Sequence, residues 1–374
     1  MAMFSTPGCG NLSQRDSIPV GVLPELMALF GRKKVTVGLD IGSGLVKAVV
    51  IDHGGPVPEV VKVVVTPLQE SAIVEGEVMD HDVVVDAIRQ TVQATGQQKV
   101  KSLVSAVGGR DVIVKKIAME RVKEMQAREL MRWEAEQHVP FDMDSVEIDF
   151  QILDPDADGL DMNVLLVAAK RDLIEAKQQL LTDAGCPAAI MDVDSFALHN
   201  AFERNHPDAM TGTVALINIG HDVTNVNILD EGIPVLTRDL GVGTRRLRED
   251  LQREHGLTAD EAEELLRSDQ PSMLLDGALG MRGEELALGL ERAATFLATS
   301  SRSYGQVRAA YACGGGARVP GLLPWLADRL RIPVELANPL ARLAIRDGAM
   351  EFLSIDEVAP LLMLPVGLAL RDAA

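Results

Sequence analysis

The feature that most constrains this chain is a long internal repeat. Without a gap, the segment Leu39–Gly54 lies over the segment Ile217–Gly232. Both copies read as a strand, a glycine-containing turn, a returning strand and a second turn of acidic residues and glycine. Solenoid repeats recur every ~20–50 residues, whereas these two copies lie in different halves of the chain. The repeat therefore predicts two homologous domains that face each other.

The pattern along the chain predicts an α/β fold. From Val35 onward, runs of branched aliphatic residues alternate with helix-like segments, and aromatic residues make up only 3% of the sequence. Such runs are typical of mainly parallel sheets that helices cover on both faces. The polar and helix-breaking stretch between Asn205 and Gly212 suits a linker. We therefore expect a first domain over residues 35–210 and a second over residues 211–374.

Residues 1–34 differ from the remainder of the chain. Prolines and glycines interrupt any regular element, and four apolar residues then precede the basic segment Gly31–Lys34 on one helical face. These four residues are Leu23, Leu26, Met27 and Phe30. One interpretation is a short amphipathic segment that contacts a membrane or a partner. We favour a flexible N-terminal extension, because chain termini are commonly poorly ordered.

Composition excludes several classes of protein. Lys and Arg number 36 against 55 Asp and Glu, a net charge of −19, which is opposite to what nucleic acids or an anionic membrane surface attract. The longest apolar stretch, Ala359–Leu370, is too short to span a membrane and contains two prolines. Cys9, Cys186 and Cys313 have no spacing typical of a disulfide framework or a zinc site. We therefore expect a protein of the cytoplasm.

The turn in the first copy of the repeat has the residue types that bind phosphate. Gly42, Ser43 and Gly44 allow backbone N–H groups to converge on phosphate oxygens. Asp40, at the end of the strand, supplies a hard oxygen ligand for the Mg²⁺ that accompanies a nucleotide, usually through water. Lys47 on the returning strand can reach back to the phosphates. An ordinary hairpin can carry a similar turn, so its repetition is what favours phosphate binding.

The second copy and a later glycine loop extend this predicted site. Gly220 lies over Gly42, so a second turn would enclose the phosphates from the other side. The segment Ala312–Gly321 follows a predicted strand and leads into a helix, and its consecutive glycines allow a base or ribose to approach the backbone. The residues of this loop that we expect to contact a nucleotide are Gly314, Gly315, Gly316 and Arg318.

These three segments, in this order, resemble the phosphate-1, phosphate-2 and adenosine motifs of the sugar kinase/Hsp70/actin superfamily. The chain from about Met27 onward further resembles the PilM family of type IV pilus proteins, in segments such as Trp133–Phe141, Met191–Ala197 and Ala337–Pro339. The resemblance implies duplicated actin-like (ribonuclease H-like) domains around a central nucleotide cleft. It also implies a small α/β subdomain of the PilM/FtsA type, inserted at about residues 110–190.

The resemblance to the PilM family implies a nucleotide-binding cytoplasmic scaffold, peripheral to the inner membrane through its partners. It implies binding of the cytoplasmic N-terminal tail of PilN in a groove between the inserted subdomain and the first domain. The scaffold would thereby link the PilN/PilO alignment complex to cytoplasmic motor ATPases for pilus assembly and twitching motility. Contacts with the platform protein and a homo-oligomeric ring are left open. The implied cofactors are ATP or ADP with Mg²⁺.

The second copy departs from the superfamily pattern. Asn218 stands where an aspartate normally opens the second phosphate turn, and so replaces a charged metal ligand by a neutral one. Asp222 stands where relatives have glycine, and would either bind the metal or repel a γ-phosphate. Thr224 keeps its expected place for a hydrogen bond to phosphate. Leu266 replaces a lysine that relatives often carry near the base, which leaves Glu263 to contact the ribose.

Two acidic residues are candidates for orienting an attacking water. Asp192 matches the position of the superfamily's water-orienting residue, with Asp194 as the second choice. The alternative is a pair of acids at a helix N-terminus that the helix dipole stabilises. Together with Asp40, Asp192 would form the catalytic residues of a slow ATPase.

Two alternatives to a scaffold stay open. The first is a slow actin-like ATPase, and because of Asn218 we expect at most weak hydrolysis. The second is a cell-division anchor resembling FtsA. That protein ends in a basic amphipathic helix, whereas this sequence ends in Arg371-Asp372-Ala373-Ala374, which disfavours the anchor.

Overall fold

The computed structural model describes residues 35–97, 102–155, 158–268, 270, 272–300, 305–351 and 353–371. The extension predicted over residues 1–34 lies outside them. The strands are β1 (Val35–Ile41), β2 (Leu45–Asp52), β3 (Glu59–Pro67), β4 (Ile73–Val74), β5 (Glu77–Val78), β6 (Leu103–Val107), β7 (Val112–Glu120), β8 (Val146–Ile152), β9 (Asp161–Lys170), β10 (Ile190–Val193), β11 (Thr213–Ile219), β12 (Thr224–Asp230), β13 (Ile233–Leu240), β14 (Ala309–Cys313), β15 (Val334–Leu336) and β16 (Ala344–Ile345). The helices are α1 (His81–Ala94), α2 (Glu124–Glu136), α3 (Arg171–Asp183), α4 (Asp194–Asn205), α5 (Thr244–His255), α6 (Ala259–Arg267), α7 (Asp276–Ser300), α8 (Leu322–Leu330), α9 (Ile355–Val358) and α10 (Met363–Ala369).

Two sheets have the same strand order. The first runs β3-β2-β1-β6-β10, with β16 added beside β3, and the second runs β13-β12-β11-β14-β15. In each sheet the first three strands are antiparallel, and the following two run parallel to the strand at the centre. The duplication predicted from the sequence is therefore confirmed at the level of the sheets.

An apolar layer lies between the two sheets and contacts both. On α4, Ala197, Leu198 and Phe202 are fully buried, in one cluster with Val49 of the first sheet and Val214 of the second. Burial of a large apolar side chain stabilises the fold by roughly 1.5–3 kcal/mol. The position of α4 therefore depends on both domains.

The C-terminal helix α10 belongs to the same layer. A Cβ atom at Gly38 of β1 would overlap the carbonyl oxygen of Pro365, and a Cβ at Gly367 would overlap that of Ala197. Only glycine permits such close approach of two backbones. As a result, α10 packs on the first sheet and on α4, although it falls in the stretch 211–374 that the sequence assigns to the second domain.

A third sheet forms the inserted subdomain. Its strands are antiparallel in the order β7-β9-β8, and α2 covers one face, where Met131 and Phe150 are buried. The other face, with Val167, packs into the core of the first domain beside Ile174 of α3. The sheet thus ends at Lys170, and the remainder of the stretch predicted for the subdomain returns to the first domain.

Helices α5 to α8 contribute the apolar residues that cover the outer face of the second sheet. Within the described part of the chain, no helix combines the length and the hydropathy that crossing a membrane requires.

Candidate nucleotide site

The first glycine turn joins β1 to β2 and carries an ion pair. The register of the two strands places Asp40 directly opposite Lys47, and Nζ of Lys47 lies 2.6 Å from Oδ2 of Asp40. Both side chains are largely buried. The N–H of Gly42 closes the turn by donating to the carbonyl oxygen of Leu45 at 3.0 Å. The turn therefore holds one carboxylate and one ammonium group at fixed positions.

The second turn, between β11 and β12, repeats this backbone without the charges. The N–H of Gly220 donates to the carbonyl oxygen of Val223 at 3.0 Å. Asn218 lies opposite Asn225 in the strand register, and Nδ2 of Asn218 donates to Oδ1 of Asn225 at 3.0 Å. A pair of amides therefore stands where the first turn has an ion pair.

The sequence predicts that Thr224 donates a hydrogen bond to phosphate. In this structure its hydroxyl proton has another partner. Its hydroxyl group is buried and donates to the carbonyl oxygen of Val242 at 2.7 Å.

Both oxygens of Asp222, a predicted metal ligand, have partners as well. Oδ1 lies 2.9 Å from Nε of Arg245, and Oδ2 accepts from the N–H of Glu75 at 3.0 Å. Glu75 belongs to the first domain, so Asp222 joins the two domains.

The two turns contact each other through a residue that the sequence analysis missed. A Cβ atom at Gly44 of the first turn would lie 3.2 Å from Cγ of His221 in the second. Burial, the largest cause, lowers the pKa of His221 below its usual value. His221 aligns with Ser43 of the first turn in the repeat. The alignment alone could therefore have identified His221 as a residue of the site.

The two candidate acids occupy different surroundings. Asp192 on β10 is fully buried, and its Oδ2 lies 3.1 Å from a guanidinium nitrogen of Arg371. Asp194 begins α4, where burial first and the neighbouring Asp40 second raise its pKa to about 7. Asp192 is thus paired with the C-terminal segment, whereas Asp194 lies near Asp40. The geometry therefore favours the second choice, Asp194, as the acid beside the first turn.

A second cation lies near these acids. Burial lowers the pKa of Lys177 on α3, while the carboxylates of Asp194 and Asp40 raise it. No motif points to Lys177, because it lies on a helix that the topology alone brings near the site.

The glycine loop after β14 packs closely against the second turn. Gly314 has φ +83°, a left-handed conformation that favours glycine, and its N–H donates to the carbonyl oxygen of Pro360 at 2.7 Å. A Cβ atom at Gly314 or Gly316 would overlap atoms of Ile219. Of the three predicted glycines, Gly315 is the exposed one.

Two further predicted contacts of the nucleotide have local partners. Arg318 donates to the carbonyl oxygen of Glu357 at 3.1 Å. Glu263 accepts from Nε of Arg267, one helical turn further along α6, at 2.8 Å. Both side chains would exchange these contacts for a ligand.

The residues at the first turn fit a magnesium nucleotide. The described residues contain no group of three or more His, Cys, Asp or Glu side chains that could hold a metal ion unaided. Mg²⁺ is usually bound by one or two carboxylates together with phosphate oxygens and water. Asp40 supplies such a carboxylate, and Lys47 supplies a positive charge 2.6 Å from it.

Comparisons with known proteins agree with this architecture. The profile of the family described as type IV pilus assembly protein PilM matches residues 38–373. Among solved structures, the chain is similar to a PilM–PilN type IV pilus biogenesis complex, with 25% identity and a TM-score of 0.77 over 90% of this chain and 98% of that chain.

A second similar structure supports the fold alone. The ethanolamine utilization protein EutJ from Carboxydothermus hydrogenoformans has 17% identity and a TM-score of 0.50, over 90% of this chain and 89% of that one. The predicted actin-like fold is confirmed. Because the family profile covers most of its length, this chain belongs to the PilM family of type IV pilus assembly proteins.

Proposed function

We propose that this protein is a nucleotide-binding scaffold of the type IV pilus machine and that it binds the cytoplasmic N-terminal tail of PilN. The observation that carries the proposal is the match to a PilM–PilN complex over 90% of the chain. A match of that extent covers both domains and the subdomain that is inserted in the first domain. The proposed place for the tail is the groove between that subdomain and the first domain.

The proposed ligand of the central site is ATP or ADP with Mg²⁺. The metal, when bound, neutralises phosphate charge. Asp40 would hold the metal through water, and Lys47 would contact phosphate oxygens. The N–H groups of Gly42, Ser43 and Gly44 would cradle the phosphates. Asn218 and the backbone at Gly220 would face them from the second domain, with Gly315 beside the base or ribose.

In this proposal, Asp222 keeps its contacts with Arg245 and Glu75 and does not bind the metal. Its two oxygens already have partners, and breaking a buried ion pair costs about 3–5 kcal/mol.

The proposed setting is the cytoplasm beneath the inner membrane, with membrane contact through PilN. From there the scaffold would link the PilN/PilO complex to the motor ATPases and the platform protein, for pilus assembly and twitching motility. The net charge of −19 would speed encounters with basic peptides. Assembly into a homo-oligomeric ring is a further part of the proposal.

Binding of the tail is the test of this function. A fluorescently labelled peptide with the sequence of the cognate PilN cytoplasmic tail is titrated with the full chain, and its anisotropy is followed. We expect saturable binding at one peptide per chain, and none for a scrambled peptide of the same composition. Equal binding of both peptides, or of neither, would overturn the proposed partner.

Binding of the nucleotide is tested separately, by calorimetric titration of nucleotide-stripped protein with Mg·ATP. We expect about one site per chain. If Mg·ATP gives no heat of binding with the unaltered protein, the proposed nucleotide is wrong. The protein would then be a scaffold with the actin-like fold and no ligand in this site.

A slow ATPase is a second candidate, and the position of Asp194 favours it. An acid with a pKa of about 7 beside Asp40 is matched to accepting a proton at neutral pH. Phosphate release at saturating Mg·ATP is the measurement. We expect Asp194→Asn to lower the rate at least 10-fold while the affinity for Mg·ATP stays within about 3-fold. Equal rates for the two proteins would exclude this role.

A further inference from the structure

Two glycines carry the chain from β6 into β7, and so into the inserted subdomain. Gly109 has φ +94°, in the left-handed region that favours glycine. At Gly108, a Cβ atom would overlap Oδ2 of Asp194. The backbone at the base of the subdomain therefore packs directly on the carboxylate that lies near Asp40.

A carboxylate of the second domain holds the same base from the other side. The backbone of Gly109 lies beside Asp239 on β13, since a Cβ atom at Gly109 would lie 4.0 Å from Oδ2 of Asp239, and Oδ1 of Asp239 accepts from Nδ2 of Asn225 at 2.8 Å. Asn225 in turn accepts from Asn218 of the second turn at 3.0 Å. A path of contacts, hydrogen-bonded from Asn218 to Asp239, therefore joins the second turn to the base of the inserted subdomain.

The surroundings of this path leave room for movement. A cavity of about 30 Å³ lies beside it and is lined in part by Gly108, Gly109, Asp194, Asn225 and Asp239. Close-packed interiors resist displacement, whereas groups beside a void can shift without overlapping their neighbours. Burial of the Asp239 carboxyl group is costly unless its polar contacts are made. Asp239 should therefore move with Asn225 and Gly109 so that its contacts with both are kept.

We propose that Asp239 is a positioning residue that couples occupancy of the nucleotide site to the position of the inserted subdomain. The inference rests on the proposed function, since the subdomain forms one wall of the proposed groove for the tail. A nucleotide that draws the amide of Asn218 toward itself changes the contact of Asn218 with Asn225. Asn225 then moves Asp239, and Asp239 moves Gly109. The nucleotide and the tail peptide therefore alter each other's affinity by the same factor.

The test is a linkage measurement on the full chain. The dissociation constant of the labelled tail peptide is measured with and without saturating Mg·ATP, for the unaltered protein and for Asp239→Asn. The asparagine keeps the size but replaces one carboxylate oxygen by an NH₂ group that cannot accept, so it cannot keep the bond from Asn225 at one oxygen and the contact with Gly109 at the other. We expect Mg·ATP to change the peptide affinity of the unaltered protein about 10-fold. In Asp239→Asn the change should fall below 2-fold, with each ligand alone binding within about 3-fold of normal.

Two further variants separate coupling from a general loss of structure. Asn225→Leu interrupts the path one step earlier and should also abolish the coupling. Arg238→Gln removes an exposed charge from the neighbouring position of β13 and should leave it intact.

Four results would overturn the inference. These are unchanged coupling in both Asp239→Asn and Asn225→Leu, equal loss in Arg238→Gln, no coupling in an unaltered protein that binds both ligands, and no binding of either ligand. Only the last of these would also overturn the proposed function.

Discussion

The two glycine turns share a backbone and differ in chemistry. Each is closed by one N–H···O hydrogen bond of 3.0 Å at its first glycine. At the same cross-strand positions, the first turn has the ion pair Asp40–Lys47 and the second has the amide pair Asn218–Asn225. Strand register and glycine fix the shape in both copies, whereas at these cross-strand positions only the first copy has charged side chains.

The second turn uses its remaining polar groups to hold the molecule together. Thr224 donates to the backbone of the chain segment after β13, and Asp222 joins Arg245 to the backbone of Glu75 in the first domain. The comparison teaches that a duplicated hairpin retains its geometry while its side chains specialise. In the function proposed above, the charged groups of the first copy serve a ligand, whereas Asp222 of the second copy serves the contact between the domains.

The largest effect that tests this division is expected for Arg245→Met. The change leaves the carboxylate of Asp222, which is only 3% exposed, without its cation. Breaking a buried ion pair by removing one partner costs about 3–5 kcal/mol, so we expect a loss of unfolding free energy of that order. Urea denaturation followed by circular dichroism measures it.

Arg245 pairs with Asp222 within the second domain and so holds the carboxylate that accepts from Glu75 of the first, whereas the matched control breaks an ion pair between the domains directly. Arg248 pairs with Glu70 at 2.6 Å, but the Glu70 side chain is 66% exposed. Exposed pairs contribute roughly 0–1 kcal/mol, so Glu70→Gln should change stability by no more than that. Similar losses for Arg245→Met and Glu70→Gln would contradict a special role of the second turn in holding the domains together.

Nucleotide affinity should distinguish the turns next. Asp40→Asn removes the one carboxylate at the first turn and leaves Lys47 without its partner. We expect the affinity for Mg·ATP to fall about 100-fold, equivalent to about 2.7 kcal/mol, in a calorimetric titration.

The reciprocal change, Asn218→Asp, adds a carboxylate to the second turn. Since Mg²⁺ prefers carboxylate oxygens, we expect Mg·ATP to bind more tightly relative to metal-free ATP, by up to about 10-fold. An unchanged or weaker affinity for Mg·ATP would contradict the expectation that a carboxylate at this position of the second turn contacts the metal.

The acid next to the first turn predicts a dependence of stability on pH. The carboxyl group of Asp194 faces Asp40, Asp192, Asp239 and Lys177, and its pKa rises from 3.8 to about 7, with burial as the main cause. A raised pKa means that the folded state holds the proton more tightly. Its contribution is therefore complete below pH 3.8 and is lost as the pH rises through about 7.

Asp194→Asn keeps a neutral group at every pH and removes this dependence. Relative to the unaltered protein, we expect the variant to gain about 2–3 kcal/mol of unfolding free energy between pH 5 and pH 8. Taking the difference between the two proteins cancels the titration of other groups. A flat difference over this range would refute the raised pKa.

Much of this arrangement follows from local sequence. The repeat, the residues of the first turn and the α/β pattern all depend on neighbouring residues, so they were predicted without knowledge of the topology. The roles of Asp222 and Lys177 depend on partners far along the chain. No pattern in the sequence predicts that Glu75 contacts Asp222 or that Asp40 lies near Lys177.

The preference for Asp194 over Asp192 depends on distant partners in the same way. Asp192 pairs with Arg371 near the end of the described chain, whereas Asp194 lies near Asp40 and Lys177, and no local pattern distinguishes the two acids. Likewise, the packing of α10 on the first sheet becomes visible only when Gly38 and Pro365 are seen in contact.

The smallest effect tests whether the two backbones are as alike as their hydrogen bonds suggest. At Gly220, a Cβ atom would lie 2.6 Å from the carbonyl oxygen of Val223, whereas at Gly42 it would lie 3.2 Å from that of Leu45. In both cases the obstructing atom is the backbone acceptor of the turn itself, so it cannot move away without lengthening the closing hydrogen bond.

We expect Gly220→Ala to lower the unfolding free energy by about 1–3 kcal/mol, as overpacking does, and Gly42→Ala to lower it by less than ~1 kcal/mol. Urea denaturation of the two variants compares them. Equal losses would confine the difference between the turns to their side chains, whereas a larger loss at Gly220 would show that the second backbone has tightened as its turn became a contact between domains.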